Sequence, residues 1–283
     1  MEIYFNGQYC NINDAKVPIT DRGYIFGDGI YEVFLVQNNK FIDFNAHIER
    51  LKRSLSVMNM EVEEFDNISE ISHNLLKRNN RKNALMYIQI TRGSLTTREH
   101  NMPYTQTPVV TIIPYPEREY NKEWHINGIS CMLAEDIRWL RRDIKSLNLL
   151  GNIMLKQKAL DCGFDDVIFY EKGSLVATEA SSSNVLMMKE GTLITHPANN
   201  YILDGVVKNR ILKIAKDLGV PCLEKEYIID ELFAASSVLL TNSGYKVRLC
   251  TSIDGKKINN GKPCKIGKTL FDAYESYVIS QSL

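Results

Sequence analysis

The sequence predicts a two-domain protein of mixed α and β structure, α+β or α/β, divided as residues 1–118 and 119–283. Three observations carry this. Strand-like runs and stripes of helical period occur in both halves, in irregular order. A polar stretch, Glu117-Arg118-Glu119-Tyr120-Asn121-Lys122-Glu123, follows Pro114-Tyr115-Pro116 and reads as a linker. A chain of 283 residues is long enough for two modest domains with a sizeable core. Pattern alone does not choose the topology.

In the first half, Ile3-Tyr4-Phe5 meets a hairpin turn at Asn6-Gly7. Tyr31-Glu32-Val33-Phe34-Leu35-Val36 reads as a strand, Asn38-Asn39-Lys40 as a turn, and Phe41-Ile42 as the return strand. Phe44, Ile48, Leu51, Leu55 and Met58 recur at helical spacing, and a second helix is expected around Ile68, Ile71 and Leu75. Two β-rich runs follow, 85–90 and 109–113, the second stopped by Pro114-Tyr115-Pro116.

In the second half, 129–133 is a strand. A helix then carries Leu150, Ile153, Met154, Gln157 and Leu160 on one side and ends at Gly163. Strands are expected over 167–170 and 184–188, with a turn at Lys189-Glu190-Gly191-Thr192 into Leu193-Ile194-Thr195. A helix opening at Gly205 bears Val207, Ile211, Ala215 and Leu218 on one stripe and stops at Gly219, before Pro221.

Composition narrows the function. Hydrophobic residues at 44% and charged residues at 24% are ordinary for a soluble globular protein. The 34 basic and 34 acidic residues cancel, so nothing argues for nucleic acid or an acidic membrane as partner. A local basic pocket for a small anion remains open. Cys10, Cys131, Cys162, Cys222, Cys250 and Cys264 form no Cys-x-x-Cys pair, which argues against zinc and for reduced thiols in a cytoplasmic protein. No two histidines stand in a metal-binding spacing. Residues 1–7 do not read as a signal peptide. No apolar run approaches the roughly 18 residues of a membrane span.

Three segments carry chemistry. Lys145 lies between Ile144 and the Leu147, Leu149 and Leu150 cluster, where partial desolvation disfavours the ammonium form. A lysine so tuned is a nucleophile and forms Schiff bases with carbonyls. On its own the segment reads equally as a solvated lysine between a strand and a helix. In Thr178-Glu179-Ala180-Ser181-Ser182-Ser183-Asn184 one carboxylate precedes small hydroxylated residues and an apolar run. In Arg98-Glu99-His100 two donors two residues apart share one side of an extended loop, which suits a carboxylate. Alone, that tripeptide also reads as a solvated charged loop.

Together these segments resemble the fold-type IV aminotransferases, which use pyridoxal 5'-phosphate (PLP). The family contains branched-chain aminotransferases, aminodeoxychorismate lyase and D-amino acid aminotransferases. The resemblance runs from about Tyr4 to Tyr277. Further matches are Asp21-Arg22-Gly23, Phe26-Gly27-Asp28-Gly29-Ile30-Tyr31-Glu32, His47-Ile48-Glu49-Arg50-Leu51 and Leu203-Asp204-Gly205-Val206. It implies a small N-terminal α/β domain, a larger C-terminal pseudobarrel, and a cofactor in the cleft between them.

It also implies roles. Lys145 supplies the amine that holds the cofactor aldehyde and then shuttles the substrate proton. Glu179 keeps the pyridine nitrogen protonated. Arg50 takes the phosphate, where a guanidinium fork fits, together with the helix start at Val206 and Val207. Many relatives have threonine where this chain has Val207, and Ser243, in Asn242-Ser243-Gly244-Tyr245, is the compensating hydroxyl donor. Leu203 packs on the ring face, and Arg138 lies near the phenolic oxygen. Ser182, with its neighbours Ser181 and Ser183, holds the phenolate side or caps local backbone.

The Arg98-x-His100 pair marks the D-amino acid branch, where with Tyr31 it traps the substrate α-carboxylate from the partner subunit. A homodimer with shared active sites is thereby implied. The implied reaction is D-alanine plus 2-oxoglutarate giving pyruvate plus D-glutamate. The alternatives are a branched-chain (L) aminotransferase and aminodeoxychorismate lyase, with a non-catalytic PLP-binding protein as the reading from outside enzymology.

Overall fold

The computed structural model describes residues 1–102, 107–119 and 121–282. Two compact units emerge. The first comprises Met1–Arg118, Ile144–Asn148 and the residues from Ile279 on, and the second comprises Glu119–Asp143 and Leu149–Val278. Mixed α and β structure, as expected, fills both.

The first unit holds β1 (Glu2–Phe5), β2 (Gln8–Asn11), α1 (Arg22–Phe26), β3 (Gly29–Gln37), β4 (Lys40–Phe41), α2 (Phe44–Val57), α3 (Ile68–Arg78), β5 (Ala84–Thr91) and β6 (Val109–Tyr115). Its sheet has the order β2-β1-β6-β5-β3-β4 with antiparallel neighbours. Asn6 and Gly7 both take positive φ, 46° and 89°, which is the hairpin geometry their types favour. One face of the sheet is apolar: Ile30, Phe34 and Val36 of β3 and Met86, Ile88 and Ile90 of β5 pack with Leu51 and Leu55 of α2 and Leu75 of α3. Each such side chain, fully buried, contributes about 1.5–3 kcal/mol. Because strand side chains alternate, Tyr31 points to the opposite face from Ile30 and Glu32.

β6 ends at Tyr115, within the expected Pro114-Tyr115-Pro116 stop, with Pro114 opposite Met86 of β5. Its other neighbour, β1, pairs only with Thr111 and Ile112. Pro114 therefore costs no ladder bond to β1.

The second unit holds α4 (Lys122–Asn127), β7 (Ile129–Glu135), α5 (Leu150–Asp161), β8 (Asp166–Tyr170), β9 (Ala177–Ala180), β10 (Asn184–Lys189), β11 (Thr192–Thr195), α6 (Val206–Asp217), β12 (Cys222–Glu224), α7 (Ile229–Phe233), β13 (Ser237–Asn242), β14 (Lys246–Ile253), β15 (Lys256–Lys257) and, as far as Val278, α8 (Lys265–Gln281). Strands run in the order β12-β11-β10-β13-β14-β7-β8-β9, and β9 pairs in turn with β10. That last pairing closes β10, β13, β14, β7, β8 and β9 into a ring, the barrel-like sheet the resemblance implies. The closing pair is Glu179 opposite Asn184.

Two expectations about this unit change. The stretch read as a linker becomes helical from Lys122, with the Asn121 side chain accepting from the Glu123 N–H at 3.0 Å; Tyr120 lies outside the described residues. The apolar side of α5 does not enter a core of this chain: Leu150, Ile153 and Met154 are 69%, 60% and 56% exposed. Periodicity identifies a face but not what covers it. Elements not foreseen include α1, β9 and everything beyond α6. Among the described residues no helix is long and apolar enough to cross a membrane, and no cluster of His, Cys, Asp and Glu could hold a metal.

Candidate active site

In the first unit the segment 144–148 lies antiparallel to the start of β3. The Tyr31 N–H donates to the Lys145 carbonyl at 2.9 Å, the Leu147 N–H donates to the Gly29 carbonyl at 3.0 Å, and Ile30 bridges Ser146. Ile144 joins the apolar core. Lys145, half-buried, lies with its Nζ 4.2 Å from the centre of the Tyr31 ring. An ammonium over an aromatic face is attracted by the ring quadrupole, which steadies the flexible stem. Tyr31 is backed in turn by Tyr87, with ring centres 5.7 Å apart.

On the core face of the same strand, Glu32 is fully buried. Arg50 donates to it through two nitrogens, Nε to Oε2 at 2.9 Å and Nη2 to Oε1 at 2.7 Å. His47 Nδ1 lies 3.0 Å from Oε1. Burial opposes the Glu32 charge, but Arg50 and His47 hold the carboxyl far below the usual carboxylate range. Burial pushes His47 down despite Glu32, so the imidazole is neutral near pH 7 and its Nδ1–H donates. Arg50, expected off the apolar stripe of α2, is thus buried and aligned by a residue 18 positions earlier.

Arg98 and His100 are exposed and lean on one ring. The Arg98 guanidinium carbon lies 4.7 Å from the centre of Phe26, and the His100 ring centre lies 5.5 Å from it.

In the second unit Glu179 sits at the barrel seam. Its Oε2 accepts the Leu203 N–H at 3.1 Å and Asn184 Nδ2 at 3.2 Å, and its Oε1 accepts from Arg138 Nη1. Arg138 grips Asp136 through Nε at 2.9 Å and Nη2 at 2.6 Å, with its guanidinium carbon 4.6 Å from the centre of the Phe169 ring. Burial works against the Arg138 charge, but Glu179 and Asp136 raise its pKa above the ordinary arginine value. Asn184 Nδ2 also donates to the Leu203 carbonyl at 2.8 Å. Leu203 is therefore held at both backbone groups while its side chain stays half-exposed.

The serine run separates into distinct parts. Ser181 Oγ donates to Asp166 at 2.5 Å, and Ser183 Oγ accepts from Asn242 Nδ2 at 2.8 Å. Both are buried, whereas Ser182 between them is exposed. The Asn242 side-chain Oδ1 caps the turn that carries Ser243, accepting from the Gly244 N–H at 2.9 Å and the Tyr245 N–H at 2.6 Å.

Residues 29–253 match the model of the amino-transferase class IV family. The chain belongs to the class IV aminotransferases, whose cofactor is pyridoxal phosphate. Within that class it is 38% identical over 287 residues to a D-alanine aminotransferase of Staphylococcus aureus, covering 100% of this chain and 99% of the relative. It is 36% identical over 284 residues to a D-alanine aminotransferase of Bacillus licheniformis, again covering 100% and 99%. Its fold superposes on the branched-chain amino acid aminotransferase from Thermobaculum terrenum, solved in its PLP form, with a TM-score of 0.87, 19% identity, and coverage of 99% and 94%. At that identity the likeness speaks to the fold alone.

The residues present fit this cofactor. A carboxylate offers about four acceptor sites. Among the described residues three donors reach Glu179, which leaves room for a further donor such as a ring N–H. Helix α6 starts at Gly205 with no side-chain cap, and its first turn carries Val206 and Val207. A Cβ at Gly205 would come 1.8 Å from Asn184 Oδ1. The N–H groups of a helix start without a side-chain cap suit a phosphate. Sequence reasoning missed Glu32, Asp136 and Asn184 as partners of Arg50, Arg138 and Glu179. Asp136 and Arg138, two apart, and Asn184 at the end of the serine run were the available signals.

Proposed function

We propose that this chain is a cytoplasmic D-amino acid aminotransferase that converts D-alanine and 2-oxoglutarate to pyruvate and D-glutamate as a homodimer. The full-length match to D-alanine aminotransferases carries this reading. Bound PLP supplies a protonated pyridine ring that takes up the electron pair left when the substrate α-proton departs. Lys145 supplies the amine that holds the cofactor and, once freed, its Nζ moves the proton from the substrate α-carbon. The aromatic face of Tyr31 under that amine supports the assignment.

Glu179 is the acid of the ring nitrogen, and Arg138 and Asn184 keep its carboxylate oriented. Leu203 packs on the ring, and Ser182 and Arg138 stand at its phenolic side. Arg50, Val206, Val207 and Ser243 hold the phosphate, with Glu32 orienting Arg50 as a second partner orients a first. Tyr31, Arg98 and His100 take the substrate carboxylate. The exposure of Arg98 and His100, and of the apolar side of α5, agrees with a role that requires a second copy.

A chiral donor screen tests the reading: D- against L-alanine, glutamate and leucine, with 2-oxoglutarate as acceptor. Turnover with the D-enantiomers is expected. Faster turnover of L-leucine than of D-alanine would overturn it.

A further inference from the structure

We propose that Phe26 and Arg22 set the reach of the Arg98 and His100 pair, and so tune how tightly the substrate carboxylate is held. The inference rests on the reading of Arg98 and His100 as carboxylate donors. It concerns what aims them, since exposed side chains on a loop depend on neighbouring groups to fix their direction.

Phe26 ends α1, and three cationic or polar groups surround its ring. The Arg98 guanidinium carbon lies 4.7 Å from the ring centre, the Arg22 guanidinium carbon 4.9 Å, and the His100 ring centre 5.5 Å. Between the two donors, Glu99 is tied down by its backbone: its carbonyl accepts from Arg22 Nη1 at 2.7 Å. Arg22 is itself anchored. It is buried, and its Nε donates to Asp28 Oδ2 at 2.7 Å. The same Asp28 oxygen accepts from Arg92 Nε at 2.8 Å, and Arg92 is anchored by donating from Nη2 to the Met58 carbonyl at 2.8 Å. The base of the loop is pinned as well, with the Arg22 N–H donating to the Gly93 carbonyl at 2.9 Å and Asp21 bridging Ser94.

A buried chain therefore runs from Met58 through Arg92, Asp28 and Arg22 to the Glu99 carbonyl. Phe26 is the flat surface on which the flanking donors rest. Holding donors in place before substrate arrives lowers the ordering cost of binding. Phe26 and Arg22 are positioning residues, because they act through Arg98 and His100.

The test compares D-alanine with D-alaninamide, which lacks the carboxylate, in single-turnover half-reactions of the PLP-loaded enzyme. Phe26→Leu is expected to raise the ratio of the D-alanine to the D-alaninamide dissociation constant about fivefold, the scale of a lost cation–π contact. Phe26→Tyr, which keeps the ring face, is expected to restore the wild-type ratio. Arg98→Ala is expected to raise the ratio further, and Phe26→Leu added to it to change nothing more. If Phe26→Leu does not fold, Arg22→Lys, too short to span Asp28 and Glu99 together, is expected to raise the ratio in the same way. A normal ratio in Phe26→Leu beside a raised one in Arg98→Ala overturns this proposal and leaves the carboxylate reading standing. A normal ratio in Arg98→Ala overturns the carboxylate reading itself. Equal weakening of both substrates in Phe26→Leu marks general structural damage and overturns the positioning role.

Discussion

Asn184 faces Glu179 across the single residue pair that closes the barrel, and its Nδ2 donates to both Glu179 Oε2 and the Leu203 carbonyl. One side chain thereby ties together Glu179, the Leu203 backbone and the approach to α6, the groups proposed for the ring nitrogen, the ring face and the phosphate. Its Oδ1 also occupies the space a Cβ at Gly205 would need. Asn184→Ala is expected to weaken PLP affinity by roughly ten- to a hundredfold, since a buried acceptor left unpaired costs about 1–3 kcal/mol. Titration of the apoenzyme with PLP, followed by cofactor absorbance, checks this. An unchanged affinity would remove Asn184 from the account.

Arg98→Ala is expected to raise KM for D-alanine by roughly ten- to a hundredfold, because a hydrogen bond to a charged group is worth about 1.5–3 kcal/mol. Steady-state kinetics with saturating 2-oxoglutarate reads the change. An unaltered KM would exclude the carboxylate trap.

Acid stability follows from the buried ions beside Arg50. Glu32 titrates at 4.5 in an unfolded chain and lower in the fold. Its contribution is complete above that value and is lost as pH falls from it toward the native one. His47 is likewise depressed from 6.5, so below that pH the unfolded chain gains a proton the native chain refuses, and stability declines further. The denaturation midpoint is therefore expected to fall on acidification through both windows. Glu32→Gln is expected to lose about 3–5 kcal/mol at pH 7, because Arg50 is left buried without its anion. It is also expected to show a shallower decline below pH 4.5. Urea titrations across pH measure both, and a wild-type slope in Glu32→Gln would contradict the assignment.

The exposed side of α5 predicts an oligomer. Ile153→Glu puts a charge among Leu150, Ile153 and Met154, and is expected to yield a monomer by analytical ultracentrifugation with transamination largely lost. A fully active monomer would refute the shared site.

Much of the first unit was legible because α2 shows a period of 3.6 in its own residues and β3 is a run of β-branched, aromatic and other apolar residues bounded by Gly29 and the Asn38-Asn39 turn. Lys145, Glu179 and the Gly205 turn were legible as motifs. Glu32 was not, because it occupies an ordinary strand position and its role appears only when α2 brings Arg50 alongside. Barrel closure also depends on the non-local pairings of β10 with β13 and of β14 with β7, which have no period of their own. The exposed face of α5 shows the limit of periodicity, since an apolar stripe looks the same whether it meets a core or another molecule. Helix α8 was an overlooked signal: Leu270, Phe271, Tyr274 and Val278 hold helical spacing and are buried.

The most direct measurement is borohydride reduction of the PLP-loaded protein followed by peptide mass mapping. The account predicts reduced cofactor bonded to Lys145 in the wild-type chain, and none at that position together with no turnover in Lys145→Ala. Reduced cofactor on another lysine, or steady-state transamination by Lys145→Ala, would contradict it.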